Sequence, residues 1–166
     1  MGKGEAGLTR LAVLAGLAAA LVVAAPASAR IVPQESIAGI HIGMDVSQVR
    51  TARGAPDAVI FQRHPIVGRT RIYKYGMTYA TFECTCPAAR VFSIRTRSRH
   101  ERTSNGVGVG TPRAVVARRV RGVRCVVESG FDHCYVGRFV AGKRVTDFRI
   151  GRSGRVSSVV VSFVID

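Results

Sequence analysis

The 166-residue sequence contains no tryptophan, only three lysines, and only 10 acidic residues against 25 basic ones, for a formal net charge of +15. Without tryptophan, and with its Phe and Tyr residues where they would pack a sheet, the chain lacks the base-stacking surface of nucleic-acid readers. We therefore expect no specific nucleic-acid partner, only salt-sensitive attraction to polyanions. Genomic bias toward arginine codons is the alternative explanation of the charge.

The sequence also lacks the short motifs of catalysis. It has no Gly-x-Ser-x-Gly elbow, no phosphate-binding loop and no zinc-protease helix motif. Its histidines have no acid–base partners at a recognisable spacing, and we expect each to lie at the surface; they are His41, His64, His100 and His133. We predict no enzyme activity and no cofactor.

One long apolar run is present, from Leu11 to Ala25, and it lies near the start of the chain. Basic residues precede it and Ala27-Ser28-Ala29 follows it, which is the pattern of a secretory signal peptide over residues 1–29. At 15 residues the run is shorter than the roughly 20 that span a bilayer. We predict a secreted or extracytoplasmic protein with no transmembrane span after signal cleavage.

A glycine-rich pattern organises the rest. The first glycine segment, Gly39-Ile40-His41-Ile42-Gly43, recurs 67 positions later as the second glycine segment, Gly106-Val107-Gly108-Val109-Gly110. Helix-like and then strand-like residues follow both, so the sequence predicts an α+β protein of two tandem repeats, each a short helix packed on an antiparallel β-sheet. The expected domains are a flexible lead-in (30–36), a first repeat (37–97), a basic linker (98–105) and a second repeat (106–166).

Capping residues place the two helices. Asp45 and Gln48 have the spacing of a reciprocal capping box, and Gly54 is suited to end the first helix. For the second helix, Thr111 is the predicted N-cap and Pro112 the first helical residue.

Strand signals follow each helix. Residues 57–70 are predicted to form a loop or link. The predicted strands are Arg71 to Tyr75, Met77 to Glu83, Arg90 to Thr96, Arg124 to Val127, His133 to Val136, Thr146 to Ile150 and Val156 to Phe163.

Four cysteines in an exported chain indicate disulfides. A two-residue turn at 129–130 would place Cys125 opposite Cys134 in a hairpin, within bridging distance. Cys84 and Cys86 could close a small ring, stay free, or bind a ligand. A zinc site using Cys84, Cys86, His133 and Cys134 is a further alternative, although its ligand pairs are closer in sequence than those of structural zinc sites.

Arginines are concentrated from the end of the third predicted strand onward and on the second helix. Such runs usually form a solvated edge or linker, but they are also the candidate surface for an anionic partner. The residues are Arg95, Arg97, Arg99, Arg113, Arg118, Arg119 and Arg121.

The residues around the first helix resemble the SmpA/OmlA/BamE-like module. The resemblance rests on Gly43-Met44, Gln48-Val49-Arg50, Gly54-Ala55-Pro56 and Tyr73-Lys74-Tyr75. A tandem pair of such modules is similar in layout to β-lactamase inhibitor proteins. We predict a non-enzymatic binding or structural module whose partner is an unknown protein or, from the net charge, an anionic cell-envelope polymer. The resemblance implies the alternative, inhibition of a secreted enzyme.

Overall fold

The structure, a computed structural model, describes Met1, residues 31–128 and residues 130–165. The predicted signal peptide lies outside these residues except for Met1. The helices are α1 (Val46–Arg53) and α2 (Arg113–Arg119). The strands are β1 (Ile31–Val32), β2 (Ser36–Ile37), β3 (Ile40–His41), β4 (Ala58–His64), β5 (Gly68–Tyr75), β6 (Thr78–Phe82), β7 (Val91–Thr96), β8 (Arg124–Glu128), β9 (Phe131–Gly137), β10 (Arg144–Ile150) and β11 (Val156–Phe163).

The strands form two antiparallel sheets. The larger one has eight strands in the order β4-β5-β6-β7-β11-β10-β9-β8. At its centre β7 pairs with β11, with Ile94 opposite Val161. The smaller sheet contains β1, β2 and β3 in that order.

The predicted fold class, two tandem repeats each with a helix on its own sheet, is wrong. The strands of both halves belong to one continuous sheet, and the helices have only 8 and 7 residues, so the described chain is mostly β. The cause is the pairing of β7 with β11, which joins residues more than 60 positions apart. Nothing in the local sequence pattern specifies such a long-range ladder.

Two segments predicted to be irregular are strands. Residues 57–70 contain all of β4 and the start of β5, and the connection between these strands is a short turn at 65–67. The predicted flexible lead-in contributes β1 and the first residue of β2. There Ile31 and Ser36 are buried, because the small sheet packs into the core.

One face of the large sheet is covered by α1, α2 and the small sheet. Val49 of α1, Ile37 of β2 and Val116 of α2 are fully buried in a core shared with Phe82 and Phe148 of the large sheet. Burying an apolar side chain of this size contributes about 1.5–3 kcal/mol relative to exposing it. The core fixes which face of the sheet stays open.

The helix starts differ from one another. Around α1 the predicted capping box is confirmed: Asp45 Oδ1 accepts from the Gln48 amide at 2.9 Å, and Gln48 Oε1 accepts from the Asp45 amide at 3.0 Å. The predicted N-cap of α2 is wrong. Pro112 occupies that position without a side-chain cap, because the buried Thr111 hydroxyl turns inward and accepts from the Gly108 amide at 3.1 Å.

Both pairs of cysteines form disulfides. Cys125 lies opposite Cys134 in the β8–β9 hairpin, in the register expected from a two-residue turn, and the two are bonded. Cys84 and Cys86 are bonded to each other between β6 and β7. Two disulfides fit a protein that reaches an oxidising compartment. Among the described helices, neither is long and apolar enough to cross a membrane.

Candidate functional site

Within the described chain, neither the helices nor the small sheet cover the second face of the large sheet, which we call the open face. Because strand residues alternate between faces, the neighbours of the buried Ile94, Phe148 and Val159 point to it. A row of this face crosses three strands, with Arg95 of β7 opposite Val160 of β11, and Val160 opposite Asp147 of β10. The open face is therefore polar and charged near its centre.

Arg95 lies at this centre. Its guanidinium carbon is 5.0 Å from the ring centroid of Tyr79, the residue opposite it on β6. Within the described residues, no carboxylate lies within 4.0 Å of the Arg95 guanidinium. Burial lowers the pKa of Arg95, and the positive charges of Arg97 and Arg149 lower it further. Among the residues that the structure describes, the positive charge of Arg95 thus has aromatic contact but no anionic partner.

A second group of charged side chains occupies the neighbouring strands. His133 Nδ1 lies 2.9 Å from Asp147 Oδ1, and Arg149 Nε donates to Asp147 Oδ2 at 3.2 Å. Asp147 and His133 are both buried. The carboxylate therefore orients the imidazole and partly neutralises Arg149. The prediction that every histidine lies at the surface is wrong for His133, because β9 places it beside Asp147 of β10.

Aromatic rings surround His133. Ring centroids lie 5.1 Å away for Phe131, 5.4 Å for Tyr135 and 5.8 Å for Phe139. The side chains of Phe131 and Phe139 are nevertheless half-exposed, at 42% and 49%. The Arg149 guanidinium lies 5.5 Å from the Phe131 centroid. We call Phe131, His133, Tyr135 and Phe139 the aromatic cluster.

A pocket of about 210 Å³ opens on the side of Arg149 away from the aromatic cluster. Side chains from six adjacent strands line it. Six flat strands would extend over about 24 Å, and the normal twist of sheets and long side chains such as that of Arg149 can bring residues this far apart to one pocket. Its lining includes Gln62, Ile72, Tyr79, Thr81, Arg95 and Arg149.

The arginines predicted to face an anionic partner do not form one surface. Arg95 belongs to the open face, whereas Arg97 and Arg99 follow β7 in the connecting segment, with Arg97 close enough to Arg95 to lower its pKa. α2 carries Arg113, Arg118 and Arg119 on the opposite side of the sheet, with Arg121 just beyond its end. Arg113 already pairs with Asp132, its Nε donating to Oδ1 at 2.9 Å. The structure thus separates the predicted set into two groups.

Sequence reasoning missed Tyr79, Asp147 and Arg149. The signal was present in β10, where Val145, Asp147 and Arg149 alternate with Thr146, Phe148 and Ile150. That alternation places an acid and a base on one face, but their closeness to His133 and Arg95 depends on strand order.

The structure excludes the zinc alternative. Cys84, Cys86 and Cys134 are all in disulfides, so none is a free thiolate. Among the residues that the structure describes, no group of three or more His, Cys, Asp or Glu side chains is placed to hold a metal ion.

No protein-family model matches the chain, and no curated protein matches it. Among solved structures it is similar to a DUF4309 family protein, YjgB, from Bacillus subtilis. That match has a TM-score of 0.46 and 16% sequence identity over 76% of this chain and 84% of the other. It is also similar to an extracellular protein containing an SCP domain from Bacillus anthracis. Here the TM-score is 0.40 and the identity 8%, over 74% of this chain and 44% of the other. Neither is described as an SmpA/OmlA/BamE-like protein or a β-lactamase inhibitor, and that resemblance stays a prediction.

Proposed function

We propose that this protein is an exported, non-enzymatic binding protein whose open face holds an anionic cell-envelope polymer. The observation that carries the proposal is the charge balance at the centre of that face. Arg95 of β7 and Arg149 of β10 lie on adjacent rows, and Arg97 follows the end of β7, close enough to Arg95 to lower its pKa. Among the described residues, Asp147 engages Arg149 alone of these three. A polyanion would replace the missing negative charge.

The shape of the open face supports a long ligand. Eight strands at about 4.8 Å spacing form a surface roughly 34 Å wide. An extended polymer crossing several strands would contact Arg95 and Arg149 in turn. Each neutralised phosphate or carboxylate would release counterions, so binding should weaken as salt rises.

The two disulfides support the exported location, because such bonds persist in oxidising compartments. This agrees with the predicted signal peptide and with an extracytoplasmic polymer as the partner. The net positive charge adds long-range attraction, but that attraction has no preference for one face of the molecule.

A matched pair of variants tests the proposal. The open-face variant is Arg95→Gln/Arg97→Gln, and the control, Arg118→Gln/Arg121→Gln, removes the same charge near α2. We expect the open-face variant to elute from immobilised polyphosphate at a clearly lower salt concentration than the native protein. The control should elute close to the native protein. Equal shifts in the two variants would show that only net charge matters and would contradict the proposal.

The aromatic cluster favours a second candidate, inhibition of a secreted enzyme. Aromatic residues and arginine dominate the energetics of protein interfaces, and here half-exposed Phe131 and Phe139 lie beside Arg149. Val140, in the same loop as Phe139, is also exposed. Such an inhibitor should form a one-to-one complex with its target enzyme, which size-exclusion chromatography would detect. The variant Phe131→Ala/Phe139→Ala should abolish that complex. Retention of the complex by that variant would remove this candidate.

A further inference from the structure

We infer that the pocket on the open face is a binding site for a single oxyanion group, a carboxylate or a phosphate, held by the guanidinium of Arg95. The inference rests on the proposed function and deepens it, because it names the group of the ligand that the protein recognises and the residue that recognises it.

The first argument is the unmatched charge of Arg95. The side chain is only partly exposed, and within the described chain no carboxylate reaches it. Its neighbours Arg97 and Arg149 add positive charge, and burial and this repulsion together lower its pKa. An oxyanion would relieve the repulsion and could accept two parallel hydrogen bonds from the guanidinium fork.

The second argument is the position of the guanidinium. The Arg95 guanidinium carbon lies 5.0 Å from the Tyr79 ring centroid, and both side chains line the pocket, so a ligand there can accept from the Arg95 N–H groups. Arg149 lines the same pocket but already donates to Asp147. Asp147 is in turn held by His133. Arg95 is therefore the arginine that is free to serve as the main ligand contact.

The third argument is the composition of the pocket around Arg95. Thr81 and Ser93, which face each other across β6 and β7, place hydroxyl groups on its lining. Ile72, Phe92 and Val160 contribute apolar surface and are all at least nine-tenths buried. Hydroxyls can donate to the remaining oxygens of an oxyanion, and apolar walls strengthen charge-assisted hydrogen bonds by lowering the local dielectric constant.

The fourth argument is size. Pockets for drug-sized molecules have volumes of about 300–1,000 Å³, whereas this pocket has about 210 Å³. It would hold one oxyanion and a few attached atoms, with the rest of a larger ligand lying on the open face.

Titration of the purified exported protein tests the inference. Inorganic phosphate and benzoate are the two probes, added at constant ionic strength and followed through the arginine Nε–H and β7 amide resonances. We expect saturable shifts centred on Arg95 for at least one probe, and the tighter probe identifies the preferred oxyanion. Arg95→Gln should raise the dissociation constant at least about tenfold. Arg97→Gln removes the same charge just beyond the end of β7 and outside the pocket, and should raise the dissociation constant less than about threefold.

Arg95→Lys guards against a folding artefact. It keeps the charge but loses the bidentate fork, so it should weaken binding by an intermediate factor, and its amide spectrum reports whether the sheet is intact. Absence of saturation with both probes, or equal losses for Arg95→Gln and Arg97→Gln, would overturn the inference.

The two proposals fail separately. If polyphosphate retention depends on the open face but neither probe saturates, the open face binds polymer and the pocket inference alone is wrong. If a probe saturates at Arg95 but the open-face and control variants lose polyphosphate retention equally, the pocket inference is supported and the polymer proposal is wrong.

Discussion

In the two glycine segments the backbone meets the large sheet in the same way. The amide of Gly43 donates to the carbonyl of Val91 at 2.8 Å, and the amide of Gly110 donates to that of Val156 at 2.7 Å. Both glycines have a φ of 89°. The arginine before each of these valines also makes the same contact. Arg90 Nη1 donates to the carbonyl of Gly43, and Arg155 Nη1 donates to the carbonyl of Gly110.

The middle residue of each segment differs. His41 is half-exposed, and its Nδ1 lies 3.3 Å from a Glu35 carboxylate oxygen. Gly108 is buried against the crossing chain, where a Cβ atom would lie 2.3 Å from the carbonyl oxygen of Glu101. The backbone geometry of the two segments is therefore similar, but it does not determine which residue fits at the middle position. At Gly108 that is determined by the chain at Glu101, which crosses the segment.

The sharpest way to break this pattern is Gly108→Ala. The added methyl group would force the backbone at Glu101 to move, and we expect a loss of about 3 kcal/mol in the free energy of unfolding. His41→Ala, at the corresponding position, should cost less than about 1 kcal/mol because its side chain is half-exposed. Denaturant unfolding under oxidising conditions measures both. Equal losses of unfolding free energy in the two variants would show that the close approach of Gly108 to the Glu101 carbonyl does not affect stability.

A smaller effect should follow from the side-chain acceptor that comes just after each segment. Thr111 Oγ1 accepts from the buried Gly108 amide, whereas Met44 Sδ accepts from the His41 amide at 3.4 Å. Thr111→Val leaves a buried N–H unpaired and should cost about 1–3 kcal/mol. Met44→Leu should cost less, because a thioether is a weak acceptor. A larger loss for Met44→Leu in the same unfolding experiment would contradict this ranking.

Loss of the side-chain cap of α1 should have a more modest effect than either of these changes. Asp45→Ala removes the side-chain cap of α1 and should lower the melting temperature by about 2–5 °C. Hydrogen bonds from the Gln48 amide, and then from the Ser47 hydroxyl, lower the pKa of Asp45 below 3.8. The cap therefore stabilises the fold above pH 3.8 and is lost as pH falls through the lowered pKa. Asp45→Asn should keep most of the cap and remove this acid-dependent part, as thermal melts from pH 2 to 6 would show.

The smallest effect should come from the residue that crosses Gly108. Glu101 is 6% exposed, its Oε2 is buried with no partner among the described residues, and burial raises its pKa above 4.5. Its protonated form favours the fold, so this contribution is lost as pH rises through the raised pKa. Glu101→Gln should gain stability relative to the native protein as pH rises above 4.5. A constant difference as pH rises would show that Glu101 does not titrate in folding.

Features that depend on neighbouring residues could be predicted from the sequence. The capping box of Asp45 and Gln48 spans three positions, and the register of Cys125 against Cys134 follows from counting outward from one turn. β4 was missed because His64, Pro65 and Gly68 suggested a loop. Its run Val59-Ile60-Phe61 was the available signal, and it belongs to a strand at the edge of the sheet.

Features that depend on strand order could not be predicted. The closeness of His133 to Asp147, and of Arg95 to the same row, follows from the pairing of β9 with β10 and of β7 with β11. Hydrophobic alternation assigns a residue to a face but does not identify its neighbour across the sheet. The arginines of α2 and β7 were grouped by sequence density, and the layers of the fold separate them.

The place of β11 has a consequence for how the molecule is made. During synthesis β4–β7 and β8–β10 leave the ribosome first, but β7 and β10 are separated in the finished sheet by the width of one strand. Until Val156–Phe163 is in place, the edges of β7 and β10 that it will pair with stay exposed. Exposed strand edges can pair with other chains. Completion of the fold is tied to the arrival of these eight residues, so a chain released before them would lack the strand that joins its halves.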